Sequence, residues 1–467
     1  MNDTEVDRIA GIVAGLRHGF ERGVTRPEAW RREMLRRLRA LLMERGAEFE
    51  AALYQDLGKS GAEAQLTEIG FLIAEIDHAL ARLHGWMRPR RVGVPLAVQP
   101  ASARVVPEPL GVALIIAPWN YPLMLALSPA IGAIAAGNAV VVKPSELAPA
   151  TSHLIASTVP DALDRRAVAV VEGGVPQTTA LLEQRFDHIF YTGNGRVGRI
   201  VARAAAEHLT PTTLELGGKS PVYVDDSVDL PQVAMRIAWG KFMNAGQTCV
   251  APDYVLGSPR VLRALGPLLA EAIHHLYGSA PDRNPDYGRI VNDAQFERLV
   301  GYLSDGEVLV GGGHDAAARF IEPTVLRGVA RDAAVMRDEI FGPILPLVEV
   351  SDLDDALAFV TARDKPLAAY VFSDSAEARD RWERETSSGA LGFGVPVLHL
   401  VAPELPFGGV GESGSGAYHG ERSFRVFSHE KAVLSKPLAP DTLGATIMPP
   451  FTPQKEALVR RWLRRLL

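Results

Sequence analysis

The stretch PLGVALIIAPWNYPLMLALSPAIGAIAAGNAVVV, residues 109–142, carries no charged side chain. It exceeds the roughly 20 residues that span a bilayer, yet Pro118, Asn120, Pro122, Pro129 and several glycines interrupt it. It divides better into an apolar run over 110–116, a loop, a helix over 123–136 and a second apolar run over 139–142. Two continuous apolar runs around a helix describe a β-α-β unit whose parallel strands are covered on both faces. The segment reads as the heart of an α/β fold and not as a membrane span.

The same grammar extends in both directions. Towards the N-terminus the chain reads as helical. Ile9, Ile12, Val13, Leu16 and Phe20 form one apolar stripe. Thr25 and Glu28 have capping-box spacing ahead of a second, through Trp30, Met34, Leu38, Leu41 and Leu42. A third runs through Leu66, Ile69, Ile73, Ile76, Leu80 and Leu83. Residues 88–109 are rich in proline, valine and arginine, which suits an extended arm or edge strand. Beyond 142, a helix near 151–159, strands at 167–171 and 188–191, and a helix with Val197, Ile200, Val201 and Ala204 continue the alternation. A second alternating block begins near Thr212, with a helix through Leu230, Val233, Ala234, Ile237, Ala238 and Phe242 and strands near Val308, at 345–350 and at 368–372. Two doubly wound α/β domains in series are expected.

A chain of 467 residues has ample length for two or three domains with large cores. A net charge of −6 argues against nucleic acid as a partner. Acidic residues Asp3, Glu5 and Asp7 precede any apolar run, so no secretory signal is read there. With one cysteine in the chain, the expected location is cytoplasmic. Residues 406–416 are glycine-dense, which suits close backbone approach or a mobile loop. The final segment sets Leu458, Val459, Trp462, Leu463 and Leu466 against Arg460, Arg461, Arg464 and Arg465. Such a basic amphipathic helix could touch an anionic membrane or dock on its own protein or a partner subunit.

Chemistry concentrates around Cys249, in Asn244-Ala245-Gly246-Gln247-Thr248-Cys249. A lone thiol closes no internal disulfide, and free cysteine is often just a small buried hydrophobe. Its place on a polar turn between a helix and the strand-like run 254–256 makes it a candidate nucleophile, although no histidine adjoins it. Glu215, between two leucines and ahead of Gly217 and Gly218, is a candidate general base if its strand is buried; an exposed strand-end carboxylate is the plainer reading. Asn120, in an uncharged loop, is a candidate amide donor to an oxyanion. Gly193, Gly195 and Gly198 fit a GxGxxG turn between strand and helix, where bare backbone admits a pyrophosphate, though glycines also simply make tight turns. Lys143 and Glu146 follow a strand at the edge where α/β sheets bind ligands, and could hold ribose hydroxyls or form a solvated pair.

Together these stretches resemble the NAD(P)-dependent aldehyde dehydrogenase superfamily. The carriers are Thr213-Leu214-Glu215-Leu216-Gly217-Gly218-Lys219, Gly246-Gln247-Thr248-Cys249 and Glu339-Ile340-Phe341-Gly342-Pro343. Residues 244–254, 406–411 and Tyr418-His419-Gly420 are most similar to its class 3 branch. The resemblance implies Cys249 as nucleophile, Asn120 at the oxyanion and Glu215 as base for hydrolysis of a thioester. It implies that Trp119, Lys143, Glu146, Gly193, Asn194, Gly195, Val197, Gly198, Glu339 and Phe341 hold NAD or NADP, and that Tyr121, Met124 and His419 line the aldehyde pocket. Glu146 should disfavour the 2′-phosphate of NADP by charge repulsion. The implied organisation is a cofactor domain over 1–213 with a bridging arm at 86–104, a catalytic domain over 214–398, a return segment over 399–430 and a tail over 431–467. A homodimer is implied. The chain departs from the branch at Gly394-Val395, near the implied pocket. A cofactor-independent cysteine hydrolase, or a non-catalytic protein of this fold, are the readings from other classes, separated from the first by whether the protein binds NADH.

Overall fold

In a computed structural model of the protein, the two decisive apolar runs are neighbouring parallel strands, β3 (Val112–Ile116) and β4 (Ala139–Lys143), joined by the helix Met124–Ala136. The structure describes residues 3–95, 98–440, 442–443 and 448–466. Every residue of that helix is buried, so burial within protein explains its lack of charge. Gly137, in the left-handed region, ends it. Leu110 and Gly111 lie outside β3; Gly111 has φ +148° and a side chain there would strike the Asp187 carboxylate.

These strands belong to a six-stranded sheet ordered β17 (Gly414–Ser415), β7 (Thr212–Glu215), β6 (His188–Thr192), β3, β4 and β5 (Val168–Val170), in which only β17 runs antiparallel to its neighbour. Val112, Leu114 and Ile116 pack on one face with Ile9, Val13 and Leu16 of the helix Val6–Glu21. Ala113 and Ile115 face the opposite layer, built on the helices Glu28–Glu44, Gly70–Met87 and Met124–Ala136. A continuous apolar strand is what cover on both faces demands. The loop after β3 leads to β4, whereas the loop after β6 leads to β7, on the other side. Between β3 and β6 the chain diverges, and such switch points open a crevice at the carboxyl ends of the strands.

The second sheet has seven strands, ordered β10 (Glu307–Val310), β13 (Thr324–Arg327), β14 (Ile344–Glu349), β9 (Tyr254–Gly257), β8 (Pro221–Val224), β15 (Ala368–Phe372) and β16 (Ala390–Phe393). All pair in parallel except β10 with β13. A two-stranded hairpin, β11 (His314–Asp315) and β12 (Phe320–Ile321), sits apart. The expected extended arm is an antiparallel sheet of β1 (Arg90–Val92), β2 (Ser102–Pro109) and β18 (Ser428–Ser435). Pairing with β2 runs the full length of β18, so this strand crosses the boundary drawn at 430.

Two expectations are corrected, and one pair of alternatives is decided. Thr25 and Glu28 form no capping box: the helix begins at Glu28 behind Pro27, the buried Thr25 hydroxyl has no partner, and the Glu28 carboxylate accepts instead from Arg32 Nε at 2.8 Å. The third helical stripe breaks at a π-helical turn, Gln65–Ile69. The added residue turns Leu66 out to 79% exposure and brings Glu68 fully inside. Residues 406–416 are a tightly packed strap and not a mobile loop, since a Cβ on Gly408, Gly409 or Gly414 would lie 2.0–2.3 Å from a backbone oxygen. The C-terminal helix Pro453–Leu466 forms, but the expected face of Trp462, Leu463, Arg464, Arg465 and Leu466 lies outside the described side chains. No described helix is long and apolar enough to cross a membrane.

Candidate active site

The cysteine turn is built from strained backbone. The helix Leu230–Phe242 passes into a 3-10 turn, Met243–Gly246, in which Asn244, Ala245 and Gly246 take φ of +52°, +52° and +74°. Left-handed non-glycine residues cost of order 1–3 kcal/mol each and persist only where surroundings fix them. Here buried hydrogen bonds do so. Asn244 Nδ2 donates to the carbonyl oxygens of Asn120 (2.8 Å) and Gln247 (3.1 Å). Gln247 Nε2 donates to Arg289 O at 2.9 Å, and its Oε1 accepts from Val291 N at 3.0 Å. Gly246 has no substitute, because a Cβ would lie 2.2 Å from the carbonyl oxygen of Gly342.

Cys249 is half-buried against the core. Burial pushes its thiol well above the usual range, and the carboxyls of Glu339 and then Glu215 push it further. Both effects favour the neutral thiol over the thiolate. Glu215 ends β7, fully enclosed, with neither carboxyl oxygen hydrogen-bonded. Burial alone raises its pKa well above the ordinary carboxylate value. Its carbonyl oxygen accepts from Gly193 N at 3.0 Å, tying this carboxylate to the glycine turn after β6. Asn120 follows β3 in a buried loop, its Nδ2 donating to Gln247 O at 3.1 Å. Its neighbour Tyr121 shares a 2.7 Å hydrogen bond with Thr248 Oγ1, one residue from the thiol. Cys249, Glu215 and Asn120, far apart in sequence, thus converge.

Glu339 lies against Gly217, where any Cβ would strike its carboxylate. Burial, with Asp253 nearby, raises it to about 8. The segment carrying it is fixed by a cluster absent from the sequence-based candidates. Lys219 Nζ bonds Asp253 Oδ2 (2.5 Å), Val335 O (2.8 Å) and Asp338 O (2.8 Å), while Asp253 Oδ1 accepts from Ile340 N (3.1 Å). Lys241, fully buried without a hydrogen-bond partner, is lowered to about 8 by burial. Tyr418, read from the sequence only as part of a family-like motif, is buried where the carboxyls of Glu215 and Glu75 and the thiol all bear on its hydroxyl. Long-range convergence of this kind leaves no local pattern to read.

The carboxyl edge between β3 and β6 gathers the groups expected to meet a dinucleotide. Lys143, buried at the end of β4, donates to Glu146 Oε2 at 2.6 Å, so a buried donor and a solvent-exposed acceptor for hydroxyls stand together. Thr192 ends β6 with its buried hydroxyl unpartnered, as a site for a polar ligand would leave it. Gly193 takes φ +158°, Asn194 caps the helix Gly195–Glu207 through Val197 N (3.0 Å), and a side chain on Gly198 would press on Leu216. The glycines therefore serve a tight turn and close helix–sheet packing. Trp119 and Phe341 meet edge to face at 5.3 Å across this crevice. Of the expected pocket residues, Tyr121 and Met124 lie beside the Asn120 loop, and His419 stacks on Phe407 at 5.2 Å within an aromatic cluster including Phe71 and Tyr418.

Comparison with known proteins follows from this geometry. Residues 4–433 match the model of the aldehyde dehydrogenase family. The chain is 47% identical to human aldehyde dehydrogenase family 3 member B1, over 96% of each chain. It is 44% identical to the dimeric NADP-preferring aldehyde dehydrogenase of Canis lupus familiaris, over 95% of this chain and 98% of that one. A substrate-bound AldH of Staphylococcus aureus superposes with a TM-score of 0.95 at 40% identity, covering 97% and 99% of the two chains.

Proposed function

The chain belongs to the aldehyde dehydrogenase family, and from that premise we propose that Cys249, Glu215 and Asn120 carry its chemistry. The protein oxidises an aldehyde to a carboxylic acid with NAD(P). One observation carries the assignment of roles: a thiol and a buried carboxylate without a partner stand together where the cysteine turn meets the carboxyl edge of the first sheet.

In this reading the Cys249 thiol releases its proton to solvent and its sulfur adds to the aldehyde carbon. The resulting oxyanion takes hydrogen bonds from Asn120 Nδ2 and the Cys249 N–H. Loss of hydride leaves a thioester on Cys249. Glu215 then removes a proton from water as it attacks the thioester, and the carboxylic acid leaves with the thiol restored. Bound NAD(P) supplies the hydride acceptor. Lys143, Glu146 and Thr192 would hold its ribose, the turn of Gly193, Asn194, Gly195, Val197 and Gly198 its phosphates, and Trp119, Glu339 and Phe341 its nicotinamide half. Tyr121, Met124 and His419 would line the aldehyde pocket.

In this reading residues 1–215, joined by β17 (Gly414–Ser415), serve the cofactor, the second sheet and its helices up to 398 serve catalysis, and β1, β2 and β18 serve assembly. Reaction with a panel of aliphatic and aromatic aldehydes should generate absorbance of the reduced nicotinamide, faster with NAD than with NADP because the Glu146 carboxylate repels a 2′-phosphate. Silence across the panel with no cofactor binding would overturn this reading. Asn120→Ala should slow the first hydride transfer by roughly 10²–10³-fold, the range for loss of one oxyanion donor. Pre-steady-state absorbance checks this, and an unchanged burst would remove Asn120 from its role. The exposed arm, with Leu434 and Leu438 open to solvent, supports a homodimer. Sedimentation should find twice the 50.4 kDa chain mass, and a single-chain species would contradict it.

A further inference from the structure

We propose that Lys59 and Glu68 are positioning residues that hold the Asn120 amide in register with Cys249; the inference rests on the reading of Asn120 as donor to the substrate oxygen. Lys59 Nζ meets Glu68 Oε1 at 2.5 Å, and both side chains are 0% exposed. Burying two ions costs several kcal/mol each, and apolar residues of the same volume often serve stability as well or better. The other contacts of the pair show what it holds. Glu68 Oε2 accepts from Leu123 N (2.9 Å) and Met124 N (3.0 Å), placing a negative charge at the N-terminus of the helix Met124–Ala136, whose N-cap side chain gives no bond. Lys59 Nζ lies 3.4 Å from Asn120 O and 4.0 Å from the centroid of the Tyr121 ring.

Both charges therefore grip one short loop, residues 120–124. That loop is joined to the cysteine turn through Asn120 O to Asn244 Nδ2, Asn120 Nδ2 to Gln247 O, and Tyr121 Oη to Thr248 Oγ1. Glu68 reaches it only because of the π-helical turn Gln65–Ile69, where Gly70 N bonds Gln65 O and a Cβ on Gly70 would approach that oxygen to 2.6 Å. Irregular turns of this type recur inside helices at functional sites. Donors to an oxyanion act over a few tenths of an ångström, and a misplacement of about 1 Å can cost about 10²-fold in rate.

The test is the double variant Lys59→Met/Glu68→Gln in the full chain, which removes both charges of the pair and keeps an acceptor for Leu123 and Met124. Single-turnover formation of reduced nicotinamide, per folded molecule, should fall about 10–100-fold. Cofactor affinity and alkylation of Cys249 by iodoacetamide should stay within about twofold, because the turn and the crevice are untouched. Lys59→Arg, which keeps the charge, should recover most of the rate. A parental single-turnover rate with only a lowered Tm overturns the proposal, and so does failure of both variants to fold, which would make the pair a brace for the domain. Asn120→Ala run alongside separates the two levels. If it alone is slow, positioning by the pair is wrong; if it too is unaffected, the reading of Asn120 falls with it.

Discussion

Cys249→Ala is expected to abolish formation of reduced nicotinamide, by at least about 10⁴-fold, while cofactor binding persists. The size follows from the absence of a substitute: this is the only cysteine in the chain. Alanine fits without strain, since the strained φ values lie at Asn244, Ala245 and Gly246, and their hydrogen bonds involve other side chains. Cys249 is not among the residues assigned to the cofactor, so quenching of NADH fluorescence should be retained. Residual turnover within tenfold of the parent would show that the thiol is not the nucleophile. Loss of both turnover and cofactor binding would show that the turn had collapsed and would leave Cys249→Ser to decide the role.

Glu215→Gln should separate the two halves of the reaction. Hydride transfer precedes the step that needs this carboxylate, so the first turnover should persist as a burst. The steady state should slow by roughly 10²–10⁴-fold, the span of general-base catalysis. The pH dependence has a definite sign. Burial holds the Glu215 pKa well above its ordinary value, so the steady-state rate of the parent should climb with pH as the carboxylate forms, and the variant should lose that rise. Stability runs the other way. A carboxyl whose pKa is raised in the folded state contributes stability below its unfolded pKa, and that contribution is lost as pH rises through the raised value. The variant should therefore gain Tm relative to the parent as pH increases above about 4.5. Equal Tm differences at every pH, or a burst lost together with steady-state turnover, would contradict this placement of Glu215.

The fold was legible because burial leaves a periodic trace. Val112–Ile116 and the helix Met124–Ala136 are apolar throughout, and both are covered on all sides. The boundaries failed where a specific backbone device intervened. Pro27 moved a helix start past Thr25, and the π-helical turn at Gln65–Ile69 rotated Leu66 outward and Glu68 inward. A stripe drawn at 3.6 residues per turn cannot anticipate an added residue. The site divides in the same way. Cys249, Glu215 and Asn120 stood out as polar groups in apolar or glycine-rich settings. Lys59, Glu68, Lys241 and Asp253 did not, since a lone charged residue reads as solvated surface until its partner is known. Burial of a charge is a tertiary fact, and each of these charges has its nearest opposite charges elsewhere in the chain.

The central claim is a covalent acyl group on one sulfur. Glu215→Gln protein mixed with an aldehyde and NAD, quenched in acid and measured by intact mass and peptide mapping, tests it most directly. The account predicts a mass increase equal to the acyl group of the chosen aldehyde, located on Cys249 and absent when NAD is omitted. Reduced nicotinamide formed in a full burst with no adduct on Cys249 would contradict it.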